Sequence, residues 1–352
     1  MSESFDIRKW LENPEEFLVI SGPCSVESRE QLLQTAEELS KIKEVKVLRG
    51  GIWKPRTRPD VFAGVGEEGL RWMREAKEQC GILTMTEVAV PEHVELALRY
   101  EIDILWLGAR TVTNPFSVQE LANSLKGCDM PVFVKNPIAP DLKLWLGAFE
   151  RLNGAGLKCL GAIHRGFSSA EETPYRNAPV WKIPVELKRL RPDIHIITDV
   201  SHICGCRELL HETAQMAIDF GTNGLMIESH RDPDNALTDA NQQIKPESLR
   251  NILNKLIVKK IKADTDEVTL RNLRKEIDDI DEELLNLIAK RMNVSEEIGE
   301  FKKKHDVTVL QMGRWKQVLE RNINKGAKLG LNEESVKEIF EIIHKDSIDR
   351  QL

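Results

Sequence analysis

Val45-Lys46-Val47-Leu48-Arg49-Gly50-Gly51-Ile52-Trp53-Lys54-Pro55-Arg56-Thr57 is the stretch on which the fold turns. A short apolar run, Val45 to Leu48, has the length and composition of a buried parallel strand, and it ends abruptly in a cation with more cations close behind. Outward from it the same signature recurs at Phe17 to Ile20, Ile82 to Met85, Ile104 to Leu107, Val132 to Val134, Cys159 to Ile163, Ile194 to Ile197 and Leu225 to Ile227. Helical patterns fill the intervals, among them Glu67 to Gln79, Asp141 to Leu152 and Cys206 to Phe220. Eight such units over about 250 residues predict an α/β fold of the (β/α)8 barrel type. A barrel enzyme draws its site from the carboxyl ends of its strands, and the residues there are Cys24, Arg49 with Lys54 to Thr57, Glu87, Arg110, Lys135, His164-Arg165, Asp199 with His202, and Glu228. A doubly wound open sheet would instead gather its ligands at one switch point.

A length of 352 residues predicts one large domain and one small one. Hydrophobic residues make up 41% and charged residues 30%, with no run approaching the roughly 18 apolar residues of a membrane span. The opening MSESFDIRKWLENPEEF has acids and a proline where an export signal needs a basic end and an apolar run. Six scattered cysteines fit a reducing compartment, so a cytoplasmic protein is expected. A net charge of −7 argues against nucleic acid and anionic membrane as partners and leaves small molecules.

Beyond residue 256 the pattern changes. Residues 1–258 form the expected barrel domain, 259–267 a linker that turns from basic to acidic, and 268–352 an all-helical domain. Its first helix carries Leu270, Leu273, Ile277, Ile280, Leu284, Leu287, Val294, Ile298 and Phe301 in steps of three and four, with Arg291 occupying the gap in the seam. Two shorter helices follow, Gly313 to Asn324 and Asn332 to Arg350, the latter with Asn332 as N-cap.

If the strands are placed correctly, Cys24, His202, Glu228 and Asp239 converge at the barrel mouth. Thiolate, imidazole and carboxylates together suit a divalent transition ion, with manganese or iron preferred and cobalt or zinc also compatible. Each alone is weak: a strand-end cysteine is usually an apolar filler and a carboxylate there is often merely solvated. Arg49, Lys54, Arg56, Arg110, Lys135 and Arg165 form an arc of cations that implies phosphate and carboxylate substrates, against the bland alternative of rim ion pairs. Arg291 is either a pairing device in a coiled-coil seam or the receptor of an anion.

Several motifs now carry a resemblance. Gly22-Pro23-Cys24-Ser25, Lys54-Pro55-Arg56-Thr57, Gly108-Ala109-Arg110, His164-Arg165-Gly166, Asp199-Val200-Ser201-His202 and Ala236-Leu237-Thr238-Asp239 resemble, in order, the motif series of 3-deoxy-D-arabino-heptulosonate 7-phosphate (DAHP) synthases of type Iβ. The resemblance covers residues 15 to 255. It implies condensation of phosphoenolpyruvate with erythrose 4-phosphate and water, with release of phosphate, as the first step toward aromatic amino acids. Cys24, His202, Glu228 and Asp239 would then hold the metal, and Arg49, Lys54, Arg110, Lys135 and Arg165 the phosphoenolpyruvate. Pro55, Arg56 and Thr57 would take the aldose phosphate, with Lys54 the candidate proton donor. A sister family uses arabinose 5-phosphate, but it carries an Asn-Arg-Ser type of aldose motif where this chain has Lys54-Pro55-Arg56-Thr57.

Residues 268 to 352 resemble the all-helical chorismate mutases through Leu273-Arg274, Ile280-Asp281, Ala289-Lys290-Arg291, Lys302, Arg314, Asp346-Ser347 and Gln351. The resemblance implies an intertwined homodimer in which Arg274 reaches the partner's site. Arg274, Arg291, Arg314 and Ser347 would bind chorismate, whose rearrangement to prephenate needs a compact conformer and donors at the ether oxygen, here Lys302 and Gln351. Gln311 and Trp315 depart from the pattern, standing where many members have acids that contact the substrate's ring hydroxyl. The alternative is a non-catalytic sensor of chorismate or prephenate. In either case feedback on the barrel by chorismate or prephenate is expected through this domain.

Overall fold

A computed structural model of the protein describes residues 6–12, 17–54, 60–258 and 268–351, with side chains from 273 onward in the last segment. The chain divides into two compact units, Met1–Ile261 and Lys262–Leu352. The expected linker 259–267 lies outside the described residues.

In the first unit eight parallel strands close into a barrel in sequence order. They are β1 (Leu18–Gly22), β2 (Val45–Arg49), β3 (Leu83–Val88), β4 (Ile104–Leu107), β5 (Val132–Lys135), β6 (Leu160–His164), β7 (His195–Asp199) and β8 (Gly224–Glu228). The barrel is sealed by pairing of β1 with β8, from Leu18 opposite Gly224 to Gly22 opposite Glu228.

Side chains alternate between the two faces of each strand, and the packing separates accordingly. Val47, Met85, Ile104, Phe133, Ile197 and Met226 fill the interior. Leu48, Leu105, Val134, Ala162 and Leu225 belong to the outer layer beneath the helices. Two positions beyond each interior residue come Arg49, Glu87, Trp106, Lys135, Asp199 and Glu228. The same period of two therefore aims these groups into the carboxyl end of the barrel. This corrects the expectation that the reactive groups follow the strands: Arg49, Lys135, His164, Asp199 and Glu228 are themselves the last strand residues. Apolar runs stop at the last hydrophobic side chain, whereas ladder pairing continues through the buried polar ones. His164 has the opposite parity and turns outward, edge-on to Trp181.

Tight chain approach matters most at Gly22. Its φ is +150°, and a Cβ there would stand 2.0 Å from the Arg49 carbonyl oxygen, so only glycine lets the β1 turn bring Cys24 beside Arg49. At the other end a short helix, Ile7–Glu12, was not foreseen from the sequence. Its Ile7, Trp10 and Leu11 join the interior cluster and close the amino-terminal end of the barrel.

The second unit has three helices, Val268–Lys304, Met312–Lys328 and Glu333–Asp349. The Asn332 side chain caps the last by accepting from the Ser335 amide at 2.9 Å, with Glu333 and Glu334 in the first turn. Among the described residues no helix is long and apolar enough to cross a membrane.

Candidate active sites

At the carboxyl end of the barrel the ligand atoms of Cys24, His202, Glu228 and Asp239 all lie within 4.8 Å of one another. Four separate elements supply them. Cys24 follows β1, with its amide donating to Gln243 Oε1 at 2.9 Å. His202 sits on the short helix Val200–Cys204, whose N-cap Asp199 accepts from both the His202 amide and Nδ1. Glu228 ends β8 and accepts at Oε2 from Gln242 Nε2 at 2.7 Å. Asp239 has left-handed backbone, φ +46°, an uncommon state for a non-glycine residue that here turns its carboxylate toward Cys24 Sγ at 3.3 Å.

Cations surround this cluster. Arg49 is fully buried, with Nη1 2.9 Å from Glu228 Oε1 and Nη2 donating to the Cys24 carbonyl at 3.2 Å. Lys54 Nζ donates to Cys24 Sγ at 3.0 Å, and Lys135 Nζ donates to Asp199 Oδ2 at 3.0 Å. The Arg49 and Lys135 charges both face the Trp106 ring, at 5.1 and 5.5 Å. Arg165 donates to Asn177 Oδ1 at 2.7 Å, and burial lowers its pKa to about 10. Arg110 is exposed in the short helix after β4. Pro55, Arg56 and Thr57, expected to hold the aldose phosphate, lie outside the described residues.

Protonation follows from these contacts. Burial pushes the Cys24 thiol up to about 12, helped by the Glu228 carboxylate. Burial opposes ionisation of Asp199 too, yet His202 and Lys135 hold it well below the usual carboxylate range. Against the same burial, Arg176, His202 and Lys54 hold Asp239 down at about 2. The His202 imidazole is pushed down by burial despite Asp199, and a ring donating from Nδ1 to Asp199 keeps its Nε2 lone pair for ligation. Glu228 Oε1 is buried and makes no aligned hydrogen bond, its contact with Arg49 being an ion pair only. A cation bound among the four groups would satisfy that oxygen and stabilise the Cys24 thiolate, so the residues fit a divalent metal.

Several participants lie beyond the strand ends that sequence reasoning surveyed. Arg176, in the loop after β6, pairs with Asp239 Oδ1 at 3.2 Å and donates to Gln242 Oε1 at 2.7 Å. Gln242 and Gln243 thus tie the Asp239 loop to Glu228 and Cys24. Asn136 binds the backbone of Arg165 at 2.7 Å. Only their three-dimensional neighbours identify them, since amides and one loop arginine carry no sequence signal.

The helical unit brings together a second set. Arg291 Nη1 donates to Ser347 Oγ, and Lys302 Nζ donates to Gln351 Oε1 at 2.9 Å and to the Val309 carbonyl at 2.7 Å. Among the described residues no carboxylate pairs with Arg291, whose pKa burial lowers. Arg314 is exposed in the first turn of the middle helix. Arg274 is not brought to this set: at 1.5 Å per residue it lies roughly 25 Å from Arg291 along the same helix.

A parallel barrel with cations and a mixed ligand set at its carboxyl ends, linked in one chain to a helical unit that gathers Arg291, Lys302, Ser347 and Gln351, fits a two-centre enzyme of small anionic metabolites. The chain belongs to the DAHP synthetase I family, whose model matches residues 11–265, while the chorismate mutase type II model matches residues 273–352. It is similar to the phospho-2-dehydro-3-deoxyheptonate aldolase of Thermotoga maritima, 33% identical over 242 residues, which are 68% of this chain and 69% of that protein. A solved structure of that Thermotoga enzyme, under the name DAHP synthase, superimposes with a TM-score of 0.60 at 32% identity, covering 68% of this chain and 67% of its own. The 2-dehydro-3-deoxyphosphooctonate aldolase of Syntrophobacter fumaroxidans is 29% identical over 272 residues, 71% of this chain and 89% of that protein. The protein is therefore a bifunctional enzyme of the shikimate pathway, a DAHP synthase domain fused to a chorismate mutase domain.

Proposed function

We propose that Cys24, His202, Glu228 and Asp239 hold the divalent metal of the synthase, manganese or iron by preference, and that Arg49, Lys54, Arg110, Lys135 and Arg165 hold phosphoenolpyruvate. The observation that carries this reading is the approach of the four ligand atoms to within 4.8 Å beside Arg49 and Lys54. When bound, the metal supplies Lewis acidity to the aldehyde oxygen of the acceptor. Guanidinium forks fix carboxylate and phosphate and with them the enol face that attacks the aldehyde. Lys54, its ammonium 3.0 Å from Cys24 Sγ, can deliver a proton to the new alkoxide oxygen. Pro55, Arg56 and Thr57 are assigned to the aldose phosphate. Assays with erythrose 4-phosphate and arabinose 5-phosphate in parallel test the acceptor: the four-carbon aldose should be used, and equal use of the five-carbon one would overturn the assignment. Cys24→Ala should lower the metal retained after gel filtration by about tenfold without changing the melting profile, since one of four ligands is lost. Unchanged metal content would make Cys24 structural.

In the helical domain, with its boundary placed within 259–267, Arg291, Arg314 and Ser347 are assigned to chorismate, and Lys302 and Gln351 to its ether oxygen. The domain is read as a homodimer module. Leu273, Ile277, Ile280, Leu284 and Leu287 form an apolar stripe on the long helix, each more than half exposed, and a second copy would cover it while bringing Arg274 to the partner's site. Chorismate or prephenate bound there is expected to inhibit the synthase, in a cytoplasmic enzyme. Prephenate titrated against synthase activity should slow the full chain at least fivefold, about 1 kcal/mol of coupling, but not a chain ending near residue 260. Equal inhibition of both would place the effector on the barrel.

A further inference from the structure

His344 lies among the mutase residues, yet none of the contacts above uses its imidazole. It precedes Ser347 by one turn, so the two share a face of the last helix, and Gln351 follows just past that helix's end at Asp349. Its ring lies flat against Trp315 of the middle helix, with centroids 3.8 Å apart and planes within 4°. Both rings are half-buried.

The rest of this site consists mostly of donors. Arg291 and Lys302 bring positive charge, Gln351 Oε1 is engaged by Lys302, and Ser347 Oγ accepts from Arg291 while donating to the Ile343 carbonyl at 2.7 Å. Such a site suits two carboxylates and an ether oxygen. A ring hydroxyl entering it must also find an acceptor for its own proton. Gln311, the N-cap of the middle helix, is exposed, and Trp315 has only an indole N–H to offer.

We propose that His344 accepts the hydrogen bond of chorismate's ring hydroxyl and that Trp315 is the positioning residue that holds the imidazole in plane for it. The proposal rests on the reading of the helical unit as a chorismate mutase. It gives the departures at 311 and 315 a physical reason: the acceptor has moved from the middle helix to the last one. Burial pushes the His344 imidazole down from its ordinary pKa, and Arg291 and Lys302, which face it from the long helix, push the same way. A neutral ring retains a lone pair and, unlike an acid, adds no repulsion against a dianionic substrate.

The test uses the full chain with two substrates, chorismate and its analogue lacking the ring hydroxyl. His344→Leu should raise KM for chorismate about tenfold, or 1.4 kcal/mol, with a smaller fall in kcat and little change in KM for the analogue. His344→Gln, which keeps an acceptor, should recover most of the loss. Trp315→Ala should reduce discrimination between the two substrates, and Trp315→Phe, which preserves a stacking face, should largely retain it. A KM unchanged by His344→Leu, or raised equally for both substrates, overturns the proposal, the latter because simple loss of packing does not depend on the hydroxyl. If His344→Leu fails to fold, Trp315→Ala decides, and undiminished discrimination there overturns it. A wild-type chain without chorismate turnover would instead overturn the mutase reading beneath it.

Discussion

Chelation of divalent cations will reduce DAHP synthesis to below about 1% of its starting rate and leave chorismate rearrangement unchanged. The asymmetry follows from where ligands can gather. Cys24, His202, Glu228 and Asp239 converge in the barrel, and among the described residues no second such group exists. The mutase set instead consists of cations, an amide and a hydroxyl. Loss of the ion should not unfold the barrel, because Arg49 pairs with Glu228, Arg176 with Asp239 and Lys135 with Asp199 in its absence. The chelated protein should therefore keep its melting profile and regain synthase activity when manganese or iron is returned. Both activities are to be measured on one chelated sample. Undiminished DAHP formation in rigorously metal-free protein would refute the metal assignment.

Arg291→Ala will lower mutase kcat/KM by about a thousandfold or more, equivalent to roughly 4 kcal/mol at 1.36 kcal/mol per tenfold, while synthase activity stays as it was. A half-buried guanidinium without a carboxylate partner contributes little to the fold, so its removal should cost little stability. Its one described side-chain partner, Ser347, is a neutral hydroxyl that also bonds the Ile343 carbonyl. On the assignment proposed above, what is lost is the charge that meets a substrate carboxylate and holds the compact conformer. Mutase rates with chorismate, read beside a thermal melt, decide the matter. Wild-type turnover in the variant would mean that Arg291 only sets the pairing of the long helices.

The barrel was legible because its signal is repeated: eight apolar runs of strand length, each followed within a few residues by a reactive side chain, leave few alternatives. The ends of β2, β5, β7 and β8 were placed one or two residues short for a specific reason. Arg49, Lys135, Asp199 and Glu228 are polar groups inside strands, where pairing rather than hydrophobicity sets the boundary. The helix Ile7–Glu12 escaped notice because six residues are too few to display a period, and its burial depends on the open barrel end it covers. Of the four metal-ligand candidates, Cys24, His202 and Glu228 were legible as chemically unusual side chains at or just after strand ends, and Asp239 through the loop motif Ala236-Leu237-Thr238-Asp239. Arg176, Gln242 and Gln243 were not, since their positions matter only after the loop carrying Asp239 has folded back over β1.

The two-residue alternation along the barrel strands has a consequence for how such an enzyme can change over time. In β2, β4 and β8, Leu48, Leu105 and Leu225 lie on the outer track, while Arg49, Trp106 and Glu228 lie on the inner one. Neighbouring codons therefore answer to different selection pressures, one set for thermal endurance and the other for turnover. A library randomising only outer positions should yield variants that differ in heat tolerance at nearly constant substrate preference. The complementary library should do the reverse, and a barrel of this kind can adapt to a hotter habitat without renegotiating its chemistry.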